Sequence, residues 1–298
     1  MINVVILSEQ PVAGAAWLIY SNLKKYVSDS LNVRFVSSRA HYNDGRTFPK
    51  DLLLTDPVSK DIIRAADIVH IHNTLWEPFE YYIDKGRQHI YGTLHSIPRQ
   101  QRWKELIAYC HETFSIRFPA QMVEYAPMRS LATPYDIWEW APKPREWQTL
   151  NIVYCPTSIK PEPHPQSKGY EYVMPVLDRI ARSYPSTKII HFTNKPYIEN
   201  IKAKRDGHIV IDDVCHKTFH STTIEAASNA SCVLTGVGKD EGYPFLKTHY
   251  SYLEGKLRQL IEYPLAAQEI GKNCRTWMEQ YWEPKSQCQE YINLYSKS

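Results

Sequence analysis

Short apolar runs alternate with stretches of helical period along this chain, and the alternation starts afresh after a proline-rich break. Ile2 to Leu7 is a compact apolar run of the kind that a parallel sheet buries on both faces. A loop with Pro11 and Gly14 follows, and Ala15 to Tyr26 then carries apolar residues at helical spacing. Strand, glycine-bearing loop and helix make the opening βα unit of a doubly wound fold. Further strand-like runs follow at 33–36, 68–71, 89–94, 113–116 and 129–132, with helical stretches at 59–66, 77–82 and 102–109. From Thr133 to Trp147 the character changes, with Pro134, Pro142, Pro144 and three tryptophans in an irregular stretch of the kind that joins domains. The rhythm then resumes: strands at 151–155, 188–192, 208–211 and 231–234, and helices at 169–182, 198–203, 221–228 and 253–261. The tail from Ala266 to Tyr295 reads as helical, broken near Pro284. The expected fold is α/β: two Rossmann-like doubly wound domains, residues 1–145 and 146–298, facing a cleft between them.

A length of 298 residues fits two ordinary domains. The net charge is only +3 and there is no long basic run, which argues against a dedicated nucleic-acid binder and leaves a nucleotide ligand open. Among the six cysteines no pair has C-x-x-C spacing, which speaks against a zinc site. Cys155 and Cys232 lie in apolar runs and read as buried thiols. Reduced cysteines fit a cytoplasmic protein. The opening MINVVILSEQ reads as a first strand rather than a signal peptide, and no apolar stretch approaches the ~20 residues that span a bilayer. Peripheral contact with the inner face of a membrane stays open. The aromatic clusters at 76–82 and 138–147 suit a sugar-facing cleft, although plain packing is the commoner use.

The most informative segment runs from His208 to Gly236, HIVIDDVCHKTFHSTTIEAASNASCVLTG. An apolar strand ends at Asp212-Asp213, a polar loop follows, and a helix begins near Ser221-Thr222-Thr223 with Glu225 in its first turn. A helix start offers unpaired N–H groups and a positive dipole end, which suit a phosphate. A carboxylate one turn in can accept two hydrogen bonds from a ribose diol. The plainer alternative is that Ser221 caps the helix and Glu225 complements its dipole.

This segment resembles the donor-binding region of retaining GT-B glycosyltransferases of the GT4 type, in its acidic strand end, Glu225-Ala226-Ala227, the small-residue turn Asn229-Ala230-Ser231 and the apolar pair Val233-Leu234. The resemblance implies that Glu225 holds the nucleotide's ribose and that the N–H groups of Ser221, Thr222 and Thr223 meet its diphosphate. Many members carry a second Glu eight positions earlier, near the donor sugar; Lys217 stands there in this chain. A second match opens the second half, where NIVYCPTSIKPEPHPQSKGYEYVMPV places Lys168-Gly169 before a helix. The family's lysine, matched by Lys168, binds the donor diphosphate; a mobile point charge suits a phosphate and offsets charge on the departing nucleotide. Lys160 is the nearest match to the basic residue that often precedes it.

In the first half DIVHIHN (67–73) and GTLHSIP (92–98) resemble the family's cleft-facing strands. Ligands of open α/β sheets gather at strand carboxyl ends, which makes His95 the candidate contact to donor sugar or acceptor. His72 and His70 read as structural, His70 pointing into the core. Gly14 would let backbone amides approach the donor, or only close a turn. The turn at Thr133-Pro134-Tyr135-Asp136 and the closing helices resemble the family's passage between halves and its last helix, which packs back on the first domain.

The resemblance implies transfer of a sugar from a nucleotide-sugar to a hydroxyl acceptor such as a glycan or glycolipid, with retained configuration and no metal or other cofactor. His95, Lys168 and Glu225 would be the residues of the reaction. Asp212-Asp213 reads as a loop former rather than a metal site. Rival expectations are transfer to a modified DNA base, ranked lower for want of a basic stripe, a sugar-nucleotide 2-epimerase, and a binder without turnover, which Lys217 keeps in view.

Overall fold

The computed structural model describes residues 1–9, 14–39, 50–95, 103–156, 159, 168–193 and 195–298. Pro11, Lys160 and the 96–98 end of the second histidine motif lie outside the described residues. The chain forms two compact units, Met1–Tyr135 with Glu283–Ser298, and Asp136–Trp282. The proline-rich stretch is thus shared, 133–135 going to the first unit and 136–147 to the second.

Unit 1 runs β1 (Ile2–Ser8), α1 (Ala15–Tyr26), β2 (Leu31–Ser37), β3 (Leu52–Leu53), α2 (Ser59–Ala65), β4 (Ile68–His72), α3 (Glu77–Glu80), β5 (His89–Leu94), α4 (Trp103–Tyr109), β6 (Glu112–Ile116), α5 (Pro119–Glu124) and β7 (Ser130–Leu131). Its strands are parallel, in the order β3-β2-β1-β4-β5-β6-β7. Alternation along β1 explains the unbroken apolar run. Val4 and Ile6 join one core with Ile19, Leu23 and Phe35, and Val5 and Leu7 join another with Ile63, Val69 and Ile71. Chain direction across the sheet reverses between β1 and β4, the switch point where such folds take their ligands.

Unit 2 runs β8 (Asn151–Tyr154), α6 (Tyr170–Ser183), β9 (Lys188–His191), α7 (Tyr197–Asp206), β10 (Ile209–Ile211), α8 (Ser221–Ser228), β11 (Cys232–Thr235), β12 (Leu246–Lys247), α9 (Tyr250–Glu262) and α10 (Pro264–Tyr281). Its parallel sheet has the order β12-β11-β10-β8-β9, so its switch point lies between β8 and β10. The last helix, α11 (Pro284–Tyr295), belongs to unit 1. There Tyr291 Oη donates to the Ala132 carbonyl at 2.7 Å, and Tyr295 Oη lies 2.7 Å from His70 Nδ1.

Some elements differ from the sequence reading. The helix expected at 77–82 shortens to α3, and the strand expected at 129–132 shortens to β7. Two-residue β3 and β12 escape sequence reading because so short a segment carries no period. Among the described residues no helix is long and apolar enough to cross a membrane.

Candidate functional site

The residues singled out in unit 2 converge on its switch point. Lys168 enters α6 from the segment after β8, and Asp212 follows β10 directly. Two consecutive residues at that entry are left-handed, Lys168 with φ 51° and Gly169 with φ 79°. The lysine's conformation is rare outside glycine and persists only where the surroundings fix it. Here they do: Lys168 is 6% exposed, and its Nζ donates to Asp212 Oδ1 at 2.5 Å and to Thr222 Oγ1 at 3.0 Å. Gly169 has no alternative, since a Cβ there would stand 2.5 Å from Cys215 Sγ.

Asp212 is wholly buried and ties the loop to the helix start. Its Oδ2 accepts the His220 N–H and the Thr223 hydroxyl, each at 2.7 Å. Burial pushes its carboxyl up, but the Lys168 ammonium, the His220 ring and their hydrogen bonds outweigh burial and hold it well below the usual carboxylate range. Asp213 turns the other way, accepting from the amides of Cys215 and His216 and from the His216 ring. Burial opposes its ionisation as well, and the hydrogen bond from His216 leads the groups that lower its carboxyl. Both acids are therefore taken up by protein donors.

Helix α8 begins at Ser221, and its N-cap is His220, which gives no side-chain cap. Ser221 is thus not the cap, which corrects the plainer reading of that residue. The Thr223 amide bonds the His220 carbonyl at 2.9 Å, whereas the amides of Ser221 and Thr222 find no acceptor among the described residues. The far end of the helix is covered by cations. Arg275 donates to the Ser228 carbonyl at 2.7 Å, and Arg145 to the Asn229 carbonyl at 2.8 Å. A helix with its negative end matched, and with two leading amides that no described residue engages, can receive an anion at its start.

Glu225 lies in the second turn rather than the first, and it is 3% exposed. Its Oε2 pairs with Lys204 Nζ. Lys204, in the last turn of α7, escaped sequence reasoning; the available signal was its place three residues after Ile201, on the buried face of a mostly polar helix. Cys155, just past β8, is buried, and desolvation pushes its thiol up to about 11 against the pull of Lys204 and Lys168, with Glu225 adding to the rise. These groups therefore share one neighbourhood. Lys217, by contrast, is exposed on the loop before α8 and makes no ion pair among the described residues.

In unit 1 Gly14 is the left-handed N-cap of α1, with φ 72°, so glycine is required by the turn itself. His95 follows β5 and is 7% exposed; its Nε2 lies 2.6 Å from His72 Nδ1, and its amide donates to Asn73 Oδ1. His70 stacks on His72 at 4.6 Å, and its ring contacts Tyr295 and Thr93. Burial pushes the His70 and His95 imidazoles down to about 3, His95 adding to the effect on His70. His72 is also pushed well down, by burial and then by His70 and His95. This column is neutral, and it stands at the carboxyl ends of β4 and β5.

No protein-family model and no curated protein matches this chain in sequence. Solved structures do match its fold. An alpha-glucosyltransferase in complex with UDP and a 13-mer DNA containing a central A:G mismatch aligns at TM-score 0.66 and 9% identity, over 99% of this chain and 100% of that one. HepE of Anabaena in complex with UDP-glucose aligns at TM-score 0.64 and 13% identity over 100% of both chains. Sucrose-phosphate synthase from Thermosynechococcus elongatus aligns at TM-score 0.67 and 11% identity, over 100% of this chain and 99% of that one. At such identities the likeness speaks for the fold, and the α/β architecture of this chain, with its two parallel sheets, is that of the GT-B glycosyltransferases.

Proposed function

We propose that this chain is a glycosyltransferase of the GT4 type, moving a sugar from a nucleotide-sugar, of the UDP-sugar class, to a hydroxyl acceptor such as a glycan or glycolipid. The observation that carries the reading is the start of α8: two amides without an acceptor among the described residues, the Thr222 hydroxyl and the buried Lys168 ammonium at the switch point of unit 2. A diphosphate there meets a positive helix end and a lysine in a site that excludes most water. As the bond between the sugar's anomeric carbon and the diphosphate oxygen breaks, its electron pair leaves with the nucleotide. The acceptor's hydroxyl oxygen bonds the anomeric carbon and passes its proton to the departing diphosphate oxygen, and Lys168 and the helix end stabilise the charge on the diphosphate. They act where a divalent ion would act in other phosphate sites. Glu225, one turn on, takes the ribose hydroxyls through its second oxygen. For unit 1 we keep the roles implied by the resemblance, with His95 touching sugar or acceptor and Gly14 admitting the donor.

The test is a thermal-shift screen of UDP-, GDP-, ADP- and dTDP-sugars, followed by assays of sugar-nucleotide hydrolysis. A ligand at one hundred times its dissociation constant adds about 2.7 kcal/mol to the folded state. The expected result is a shift and slow hydrolysis in wild type, both sharply reduced in Glu225→Ala and Lys168→Ala. No shift with any nucleotide-sugar would overturn the reading. A DNA acceptor is the second reading, favoured by the likeness to a glucosyltransferase solved with DNA. Tight retention on duplex DNA at physiological salt would select it.

A further inference from the structure

Lysine is almost never fully buried unless paired, and a buried ion pair adds little stability over a well-packed apolar pair. Lys204 is nonetheless 4% exposed, and with Ile201 it makes up the buried face of α7. Its ammonium meets Glu225 Oε2, while Glu225 Oε1 accepts no hydrogen bond among the described residues. The backbone beneath is also fixed, because Asn229 Nδ2 donates to the Glu225 carbonyl at 2.8 Å. A carboxylate clamped at one oxygen has a set rotation about its last bond, and the other oxygen keeps its full accepting capacity. A carboxylate that only complemented a helix dipole would need no such partner, and one in the second turn stands beyond the region where the dipole acts strongly.

We infer that Lys204 is a positioning residue for ribose recognition: its ammonium clamps Glu225 Oε2 and so turns Oε1 toward the 2′- and 3′-hydroxyls of a ribonucleoside diphosphate. The inference rests on the reading of the site given under Proposed function. It adds a specificity: the site selects ribonucleotides over 2′-deoxynucleotides, and Lys204 is the source of that selection through Glu225.

The experiment is calorimetric binding of UDP and 2′-deoxy-UDP to wild type, Lys204→Met, Lys204→Gln, Lys204→Arg and Glu225→Ala. If the screen selects another base, the matching ribo and deoxy pair of that base is used. The quantity read is the ratio of the two affinities, which a general loosening of unit 2 leaves unchanged. Wild type is expected to favour UDP by about tenfold or more, the worth of one hydrogen bond to a charged group. The ratio falls to within about threefold in Lys204→Met and Lys204→Gln, and Lys204→Arg keeps it within about twofold. Should Lys204→Met fail to fold, Lys204→Gln, whose neutral amide ends one bond short of the ammonium that clamps Glu225, is read in its place. A wild-type ratio in either folded neutral variant, an equal loss for both nucleotides, or loss of the ratio in Lys204→Arg would overturn the inference. Failure of the underlying reading looks different: wild type then binds neither nucleotide, or Glu225→Ala keeps the ratio.

Discussion

Lys168 Nζ lies 2.5 Å from Asp212 Oδ1 and 3.0 Å from Thr222 Oγ1, so one ammonium joins a strand end to a helix start. Substituting Lys168 by alanine removes the cation while Asp212 keeps its bonds from His220 and Thr223. Nucleotide affinity is expected to fall by roughly ten- to one-hundredfold and turnover by about one-hundredfold or more. Calorimetry and initial-rate assays check the two numbers separately.

The Asp212 carboxyl titrates well below its ordinary value. Such a group contributes stability that is complete above the unfolded value near ~3.9 and is lost as the pH falls through the lower folded value. Asp212→Asn should therefore flatten the pH dependence of unfolding in that acidic window. At neutral pH it should cost roughly 3–5 kcal/mol, because Lys168 is left buried and unpaired. Urea unfolding of both proteins, from pH 7 down to the acid limit, measures both effects.

The buried histidines of unit 1 have the opposite charge logic. His70 and His95 fold in neutral form with values near 3, so their stability contribution is present above the unfolded value near ~6.5 and is lost as pH falls toward the folded value. At pH 5 each is expected to cost about 2 kcal/mol relative to pH 7.5. Replacing His70 by phenylalanine should lower that slope, while removing its contacts to Tyr295 and Thr93 lowers stability at neutral pH. Denaturant midpoints at the two pH values decide it.

Gly169 combines a φ of 79° with a neighbour that leaves no room for a Cβ. Gly169→Ala should destabilise unit 2 by about 1–3 kcal/mol through backbone strain and overpacking. Adding Cys215→Ala should recover the overpacking part and leave the backbone part. A double-mutant cycle on melting temperatures separates them.

Much of this was legible in the sequence, and the reasons differ from residue to residue. The run from Val4 to Leu7 announced a strand because parallel sheets bury both faces. The helices after Gly14 and Gly169 announced themselves by their apolar period, and the structure shows each glycine in a left-handed turn just before its helix. Glu225 and Lys168 were found by motif; the structure ties Lys168 to Asp212 and to Thr222 of α8, and pairs Glu225 of the same helix with Lys204. What the sequence hid was pairing. Asp212 looked like a loop former, and Lys204 looked like any lysine of a polar helix, because a partner 21 residues away leaves no periodic trace. The His72–His95 contact was hidden for the same reason: strands β4 and β5 each show their own histidine, but only the register sets the two rings side by side.

Unit 1 begins with the first residue of the chain and is completed by 283–298, with all of unit 2 encoded in between. On a ribosome, then, unit 2 has its whole sequence available first. The earlier-made sheet must wait for Cys288, Tyr291 and Tyr295, which line its apolar side. A nascent chain stopped at 282 would carry a finished second half and a first half in which α1 alone covers part of that face, an opening for chaperones and for aggregation alike.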